Sequence, residues 1–228
     1  MGSFLLLVAV VCLGLNGRWL LAQGYARYAS EYLRYGANGK QGLVAADLAT
    51  RLTPYASRSH VLRAGIFERE RRYEESLEAL RSALTYGANN PFIWQVYIRL
   101  KLRRNQFDGE LAEAMQQVVQ LAPTSFWLHS ENARLGLQYW EWGKPEHRHF
   151  WSASTHFVLK THSKALRQTV LNIRKEELFC SEYGGHSHGV RAWCRRALTS
   201  RQKCFTAPPR RPPGGWCKYV GFVQDPLK

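Results

Sequence analysis

The apolar and polar positions fall into distinct stretches along the chain. Phe4 to Leu15 is an unbroken apolar run of twelve residues. It matches the core of a signal peptide better than a full membrane span of about 20 residues. The run can be carried on through Trp19-Leu20-Leu21-Ala22, past Asn16 and Arg18, with the arginine snorkelling and the tryptophan at the interface. An uncleaved transmembrane or signal anchor over residues 1–22 is therefore the preferred expectation, placing the Phe4–Ala22 segment in the membrane. A cleaved signal peptide is the first alternative, with only a weak site at Ala22-Gln23-Gly24, and a buried globular helix is the second. Beyond the run, Leu21, Tyr25, Tyr28, Tyr32 and Tyr35 recur at helical spacing. Residues 23–56 are read as connecting amphipathic helices that pack on the helical region from residue 57 onward.

From residue 57 the apolar period is helical and the pattern repeats. Tyr73, Leu77, Leu80 and Leu84 share one face, with Glu74, Glu75, Glu78 and Arg81 mostly opposite. Tyr73 and Phe107 are 34 residues apart, Trp94 and Trp127 are 33 apart, and the turns at Tyr86–Pro91 and Leu121–Thr124 correspond. Asn90 and Asp108 are natural helix caps, and Pro91 fits a first turn. Leu111, Met115, Val118 and Val119 point inward from the helix that Asp108 opens.

This pattern resembles the tetratricopeptide repeat over roughly residues 57 to 140. Phe67 stands at the aromatic position of the first helix, Ser76 at a small position, Leu80 at a large one and Ala83 at the second small one. Trp94 opens the next unit, which continues through Phe107, Leu111 and Met115. Ala88 stands where the pattern usually has proline, and Arg63 and Lys101 stand where it is usually apolar. The resemblance implies paired antiparallel helices, each pair leaving an apolar face for its neighbour to cover. An irregular helical bundle is the alternative. Both predict an all-α chain, with a repeat domain over 57–179.

Aromatic residues crowd the next stretch: Tyr139, Trp140, Trp142, Phe150, Trp151 and Phe157. Helical spacing favours core over sugar stacking. Ser163 is expected to cap a last helix with Leu166, Val170, Ile173 and Leu178. The N-terminal apolar segment, the weak repeats, Leu121-Ala122-Pro123 with Trp127, Ala133–Leu137 leading to Trp140, and Phe179-Cys180 followed by Trp193-Cys194 together resemble the VpsP-like proteins. These are associated with exopolysaccharide biosynthesis in Gram-negative bacteria, and the resemblance spans most of residues 1 to 194. It implies an envelope accessory protein with partners in an exopolysaccharide assembly system, and it supplies no catalytic residue.

Composition changes this picture in one respect. The net charge is +15, and from Lys160 onward there are 14 Lys and Arg against 4 Asp and Glu. A basic C-terminal end draws anions of any kind. A module that binds an acidic polysaccharide or another polyanion is thus the rival function, with no specific nucleic-acid target indicated.

Cys180, Cys194, Cys204 and Cys217 lie in the segment 180–228, which carries Tyr183–Gly189 and the Pro-rich Pro208–Pro213. Read as a loop-rich basic tail, that segment is a place for two disulfides in an oxidising compartment. Zinc held with His186 and His188, or free thiols, are the alternatives. The cysteines favour a periplasmic body, whereas Arg18, Arg27 and Arg34 after the apolar run favour a cytoplasmic one; a single-pass inner-membrane protein with a periplasmic body is the expectation.

Enzyme motifs are mostly missing: there is no Gly-x-Ser-x-Gly, no dinucleotide fingerprint and no His-Glu-x-x-His. Gly36–Lys40 lacks the spacing of a phosphate loop. The carboxylates from Glu68 to Glu75 interleave with Arg69, Arg71 and Arg72 as on a solvated helix end. His147, His149, His156 and His162 have no partnered nucleophile. The sequence therefore predicts a non-enzymatic interaction protein with no catalytic residue, cofactor or metal.

Overall fold

The computed structural model describes residues 2–35 and 39–206 of the chain. The described residues form helices only: α1 (Gly2–Tyr35), α2 (Gly39–Leu52), α3 (Ser57–Arg69), α4 (Tyr73–Gly87), α5 (Pro91–Arg103), α6 (Gly109–Leu121), α7 (Phe126–Tyr139), α8 (Pro145–Ile173), α9 (Glu176–Tyr183) and α10 (His188–Thr206). They belong to two compact units, Met1–Pro123 and Thr124–Lys228. The division falls inside the span 57–179 that the sequence pattern suggests as one repeat domain.

In the first unit, consecutive helices pair as hairpins, α1 with α2, α3 with α4 and α5 with α6, and neighbouring hairpins meet through α2 and α3 and through α4 and α5. The local signals are those of the sequence. Asn90 accepts a hydrogen bond from the Phe92 amide at 3.0 Å with Pro91 in the first turn, and Asp108 accepts one from the Leu111 amide at 3.1 Å. The repeat is also written in the backbone. Arg71 and Asn105, 34 residues apart, both adopt the left-handed conformation, with φ of 62° and 55°. The next amides, of Arg72 and Gln106, reach back five residues to the carbonyls of Phe67 (2.8 Å) and Lys101 (3.0 Å). Two hairpins thus turn by one helix-terminating motif.

The second unit repeats that ending once more. Arg174 has φ of 57°, and the Lys175 amide reaches the Val170 carbonyl at 3.2 Å. α7 and α8 pair, with α9 and α10 following. The core holds Ala133, Leu137, Val158, Leu166, Val170, Phe179, Tyr183, Val190 and Trp193. α8 consists of two helical segments that meet at a kink just before Ser163, where a new helix is expected to open, His162 leaving helical geometry at φ −145° and ψ 52°. α7 meets α8 closely at Gly136, where a Cβ would lie 2.4 Å from Cβ of Trp151.

The structure corrects two expectations. Among the described residues no helix is long and apolar enough to cross a membrane, which overturns the single-pass inner-membrane anchor over Phe4–Ala22 and the periplasmic placement built on it. Twelve apolar residues of helix rise about 18 Å, against a hydrocarbon core of about 30 Å. The same helix instead continues past Asn16 and Arg18 to Tyr35, burying Ala22, Ala26, Ala29 and Tyr32 in its pairing with α2. Nor is the segment from residue 180 loop-rich as far as Thr206, because α10 occupies it. Val190, Trp193, Cys194 and Ala197 are buried at helical spacing, a stripe hidden in the sequence by the preceding Gly-Gly-His-Ser-His-Gly. Pro208–Pro213 and Cys217 lie outside the described residues.

Candidate functional site: a repeat core and an apolar groove

The residues expected to pack the repeats fall in two classes. Phe67, Ser76, Leu80 and Ala83 are buried between α3 and α4, and the Ser76 hydroxyl donates to the Ala64 carbonyl at 2.8 Å. Leu111 and Met115 are buried on α6. Tyr73, Trp94 and Phe107 are half-buried at the hairpin edges. The Arg104 guanidinium lies over the Tyr73 ring at 5.5 Å, and the Trp94 indole donates to the Ala88 carbonyl at 2.7 Å.

Lys101, which departs from the repeat pattern, is the centre of an ionic cluster. It is only 2% exposed, and its ammonium donates to Asp108 at 2.6 Å and to Glu110 at 2.7 Å. The Tyr97 hydroxyl donates to Glu110 at 2.7 Å and Arg81 of α4 reaches the same carboxylate at 3.1 Å. The Lys101 hydrogen bond, then that of Tyr97, holds the Glu110 carboxyl down to about 2. Burial, helped by Glu110, pushes the Tyr97 phenol up to about 12. A buried ammonium is tolerable only because two carboxylates meet it. On the other side of α5, Gln95 is 3% exposed with neither amide atom hydrogen-bonded, near Arg99, which pairs with Glu68 of α3 at 3.9 Å.

A concave feature of the first unit lies between α1 and α2. Leu20, Leu21, Gly24, Tyr25 and Tyr28 line it from α1, and Lys40, Gln41, Val44, Ala45 and Leu48 from α2, around about 680 Å³. The Tyr28 hydroxyl donates to Gln41 at 2.9 Å on its wall. Leu20, Leu21 and Val44 are 63%, 59% and 57% exposed, and Trp19, Tyr25 and Tyr28 are exposed beside them. By helical register this face of α1 is opposite Leu33, the residue that meets Gly65 of α3. The tyrosine stripe read as packing on the repeats is therefore split: Tyr32 is buried, while Tyr25, Tyr28 and Tyr35 are exposed. Sequence reasoning missed the groove because a stripe does not show which of its members a neighbour covers.

In the second unit Cys180 and Cys194 form a disulfide that ties α9 to α10. Cys204 lies in α10, but its side chain is outside the described set, as is all of Cys217. The Cys180–Cys194 bond takes up two of the thiolates that the zinc alternative would use, and among the described residues no group of three or more His, Cys, Asp or Glu is placed to hold a metal. The histidines have structural surroundings. His147 is buried and its Nδ1 accepts from the Lys144 amide at 3.2 Å; His162 packs on Phe126 with ring centroids 4.1 Å apart; the His156 ring sits 5.3 Å from that of His186. On α10, Arg191, Arg195 and Arg196 are exposed, and the helix contains no acidic residue.

No family model matches the chain, and no curated protein matches it. Among solved structures the chain is similar to one in the structure of Naa15/Naa10 bound to HypK-THB, at 22% identity and a TM-score of 0.49, covering 82% of this chain and 26% of that one. The chain thus spans about a quarter of the length of the chain it matches. These comparisons do not support the resemblance to VpsP-like proteins.

Proposed function

We propose that this chain is a non-enzymatic helical-repeat scaffold that docks protein through the groove between α1 and α2. One observation carries the reading: a contiguous set of large apolar side chains, Leu20, Leu21, Tyr25, Tyr28 and Val44, stands exposed around one concavity. Single exposed leucines are ordinary, whereas a contiguous patch rimming a groove is the mark of an interaction surface. A groove between two helices accepts an amphipathic helix by shape and apolar burial, without turnover. The residues resembling VpsP-like proteins make an exopolysaccharide assembly system the proposed setting. Leu20→Arg combined with Val44→Glu tests the reading: co-purifying proteins identified with the wild-type chain should be lost while the melting temperature is unchanged. Retention of every partner by the double variant overturns it.

A second reading has its own support in the exposed Arg191, Arg195 and Arg196 on the acid-free α10. There the chain binds an acidic polysaccharide along α10, and affinity falls steeply with salt. Replacing the three arginines with glutamine should then abolish retention on an acidic polysaccharide column at low salt; unchanged retention excludes that surface.

A further inference from the structure

We infer that the groove between α1 and α2 is filled by the N-terminal half of α1 from a second copy of the chain, in a reciprocal antiparallel dimer. The inference rests on the groove being a protein-docking surface and names its occupant.

Length favours a second copy. α1 has 34 residues and α2 has 14, so α1 rises about 51 Å against about 21 Å for its partner. Contacts from α3 fall at the C-terminal end of α1, where Arg69 donates to the carbonyls of Tyr32 and Leu33 at 3.0 Å and 2.8 Å. α2 is thus about 20 residues shorter than α1, whose first residues stand apart in composition. They are the apolar ones: residues 2 to 17 contain no charged side chain.

Register points the same way. The groove residues Leu20, Leu21, Gly24, Tyr25 and Tyr28 lie on one helical face. In sequence register the same face continues through positions 17, 14, 13, 10, 7 and 6, which are Gly, Gly, Leu, Val, Leu and Leu. One stripe of the sequence thus contains both a groove wall and an apolar ridge. A surface carrying both halves of a contact is satisfied by a two-fold axis, which seats each ridge in the other copy's groove and closes the assembly at two.

The glycines of α1 place the axis. Glycine within a helix is less favourable than alanine and is kept where something approaches closely. Gly42 and Gly136 have that reason inside the chain, since a Cβ there would meet Tyr32 and Trp151 at 2.6 Å and 2.4 Å. Gly14, Gly17 and Gly24 have none, with nothing within 4 Å of an added Cβ. Residue 17 is midway between positions 6 and 28, the ends of the stripe, so the two-fold axis passes it. Glycine on the axis lets the two backbones come close.

A photo-cross-linking residue at Val44 in the purified full-length chain tests the inference. The expected product has twice the chain mass, and its cross-link maps to residues 6–13 of the second copy. Sedimentation should show a dimer that Leu20→Arg with Val44→Glu weakens by about tenfold or more. Gly17→Ala should weaken the dimer although alanine is the better helix former. Raising the salt should leave association unchanged or stronger, because a chain of charge +15 gains from screening on self-association. A chain that remains monomeric, with cellular adducts only to other proteins, overturns the second copy as occupant and leaves the groove as a protein-docking surface. No adduct of any kind overturns both readings. A dimer insensitive to the groove variants and to Gly17→Ala overturns the geometry.

Discussion

In α3 the residue that closes the hairpin core five positions before the turn amide is Phe67; 34 residues on, the same place in α5 is held by Lys101. The difference is compensated at matching positions. Arg63 lies over the Phe67 ring at 5.3 Å, and in the second hairpin the order is exchanged, Lys101 lying 5.8 Å from the ring of Tyr97. Nine residues after Phe67 comes the small Ser76, and nine after Lys101 comes Glu110, which takes its charge. The backbone turn is common to both, so hairpin closure requires a filled slot rather than a given residue type. The two fillings differ in energy. Phe67 gains from removing apolar surface from water, while Lys101 must first lose its hydration and then recover it from Asp108 and Glu110. The filling of the first hairpin is insensitive to pH, and that of the second is not.

The largest break in that comparison is Phe67→Ala, expected to cost about 3–5 kcal/mol by cavity formation. Urea denaturation reads it, and a loss below about 1 kcal/mol would show that the ring is not the keystone of α3 and α4. Next comes Ala83→Leu, which overpacks a fully buried site and should cost about 1–3 kcal/mol. Its counterpart Gln117 is half-buried, and Gln117→Leu should stay within about 0.5 kcal/mol. Equal effects at the two positions would deny that the first hairpin packs more tightly there.

A double-mutant cycle of Lys101→Met and Glu110→Gln should return a coupling of about 0.5–2 kcal/mol, at the modest end because Glu110 is 49% exposed and Asp108 stays in place. Additive effects would mean that the ion pair contributes nothing. Gln95 offers the converse. Its position corresponds to Val61 in the first hairpin, and its amide has no hydrogen bond. Gln95→Met should therefore raise stability by up to about 1 kcal/mol, and a loss of that size in calorimetry would reveal a partner for the amide.

The smallest effect is the pH dependence. The Glu110 carboxyl titrates at about 2 in the folded chain, below the usual carboxylate value. Its contribution is therefore fully present above about pH 4.3 and is lost as pH falls toward 2. The stability gap between wild type and Glu110→Gln should narrow from pH 5 to pH 2.5 in urea titrations. A gap that stays constant would separate the carboxylate charge from the stability of this hairpin.

Helicity, the 34-residue period and the caps at Asn90 and Asp108 were legible because each depends on residues within about one turn of one another, where periodicity and hydrogen-bonding chemistry act locally. Of Tyr73, Leu80 and Ala83, which the same period marks for burial between paired helices, Leu80 and Ala83 are buried and Tyr73 is half-buried. What the tertiary structure alone decided depends on contacts between distant residues. Lys101 reads as a defect until the turn at Asn105 brings Asp108 and Glu110 to its ammonium. Cys180 meets Cys194, one of three pairings open to four cysteines, because α9 folds back on α10. The two faces of α1 from Leu20 to Tyr32 were decided in the same way: hydrophobicity requires that such a surface leave water, but it is non-directional, and only the pairing of α1 with α2 shows that Ala22, Ala26, Ala29 and Tyr32 are covered while Leu20, Leu21, Tyr25 and Tyr28 face an open groove.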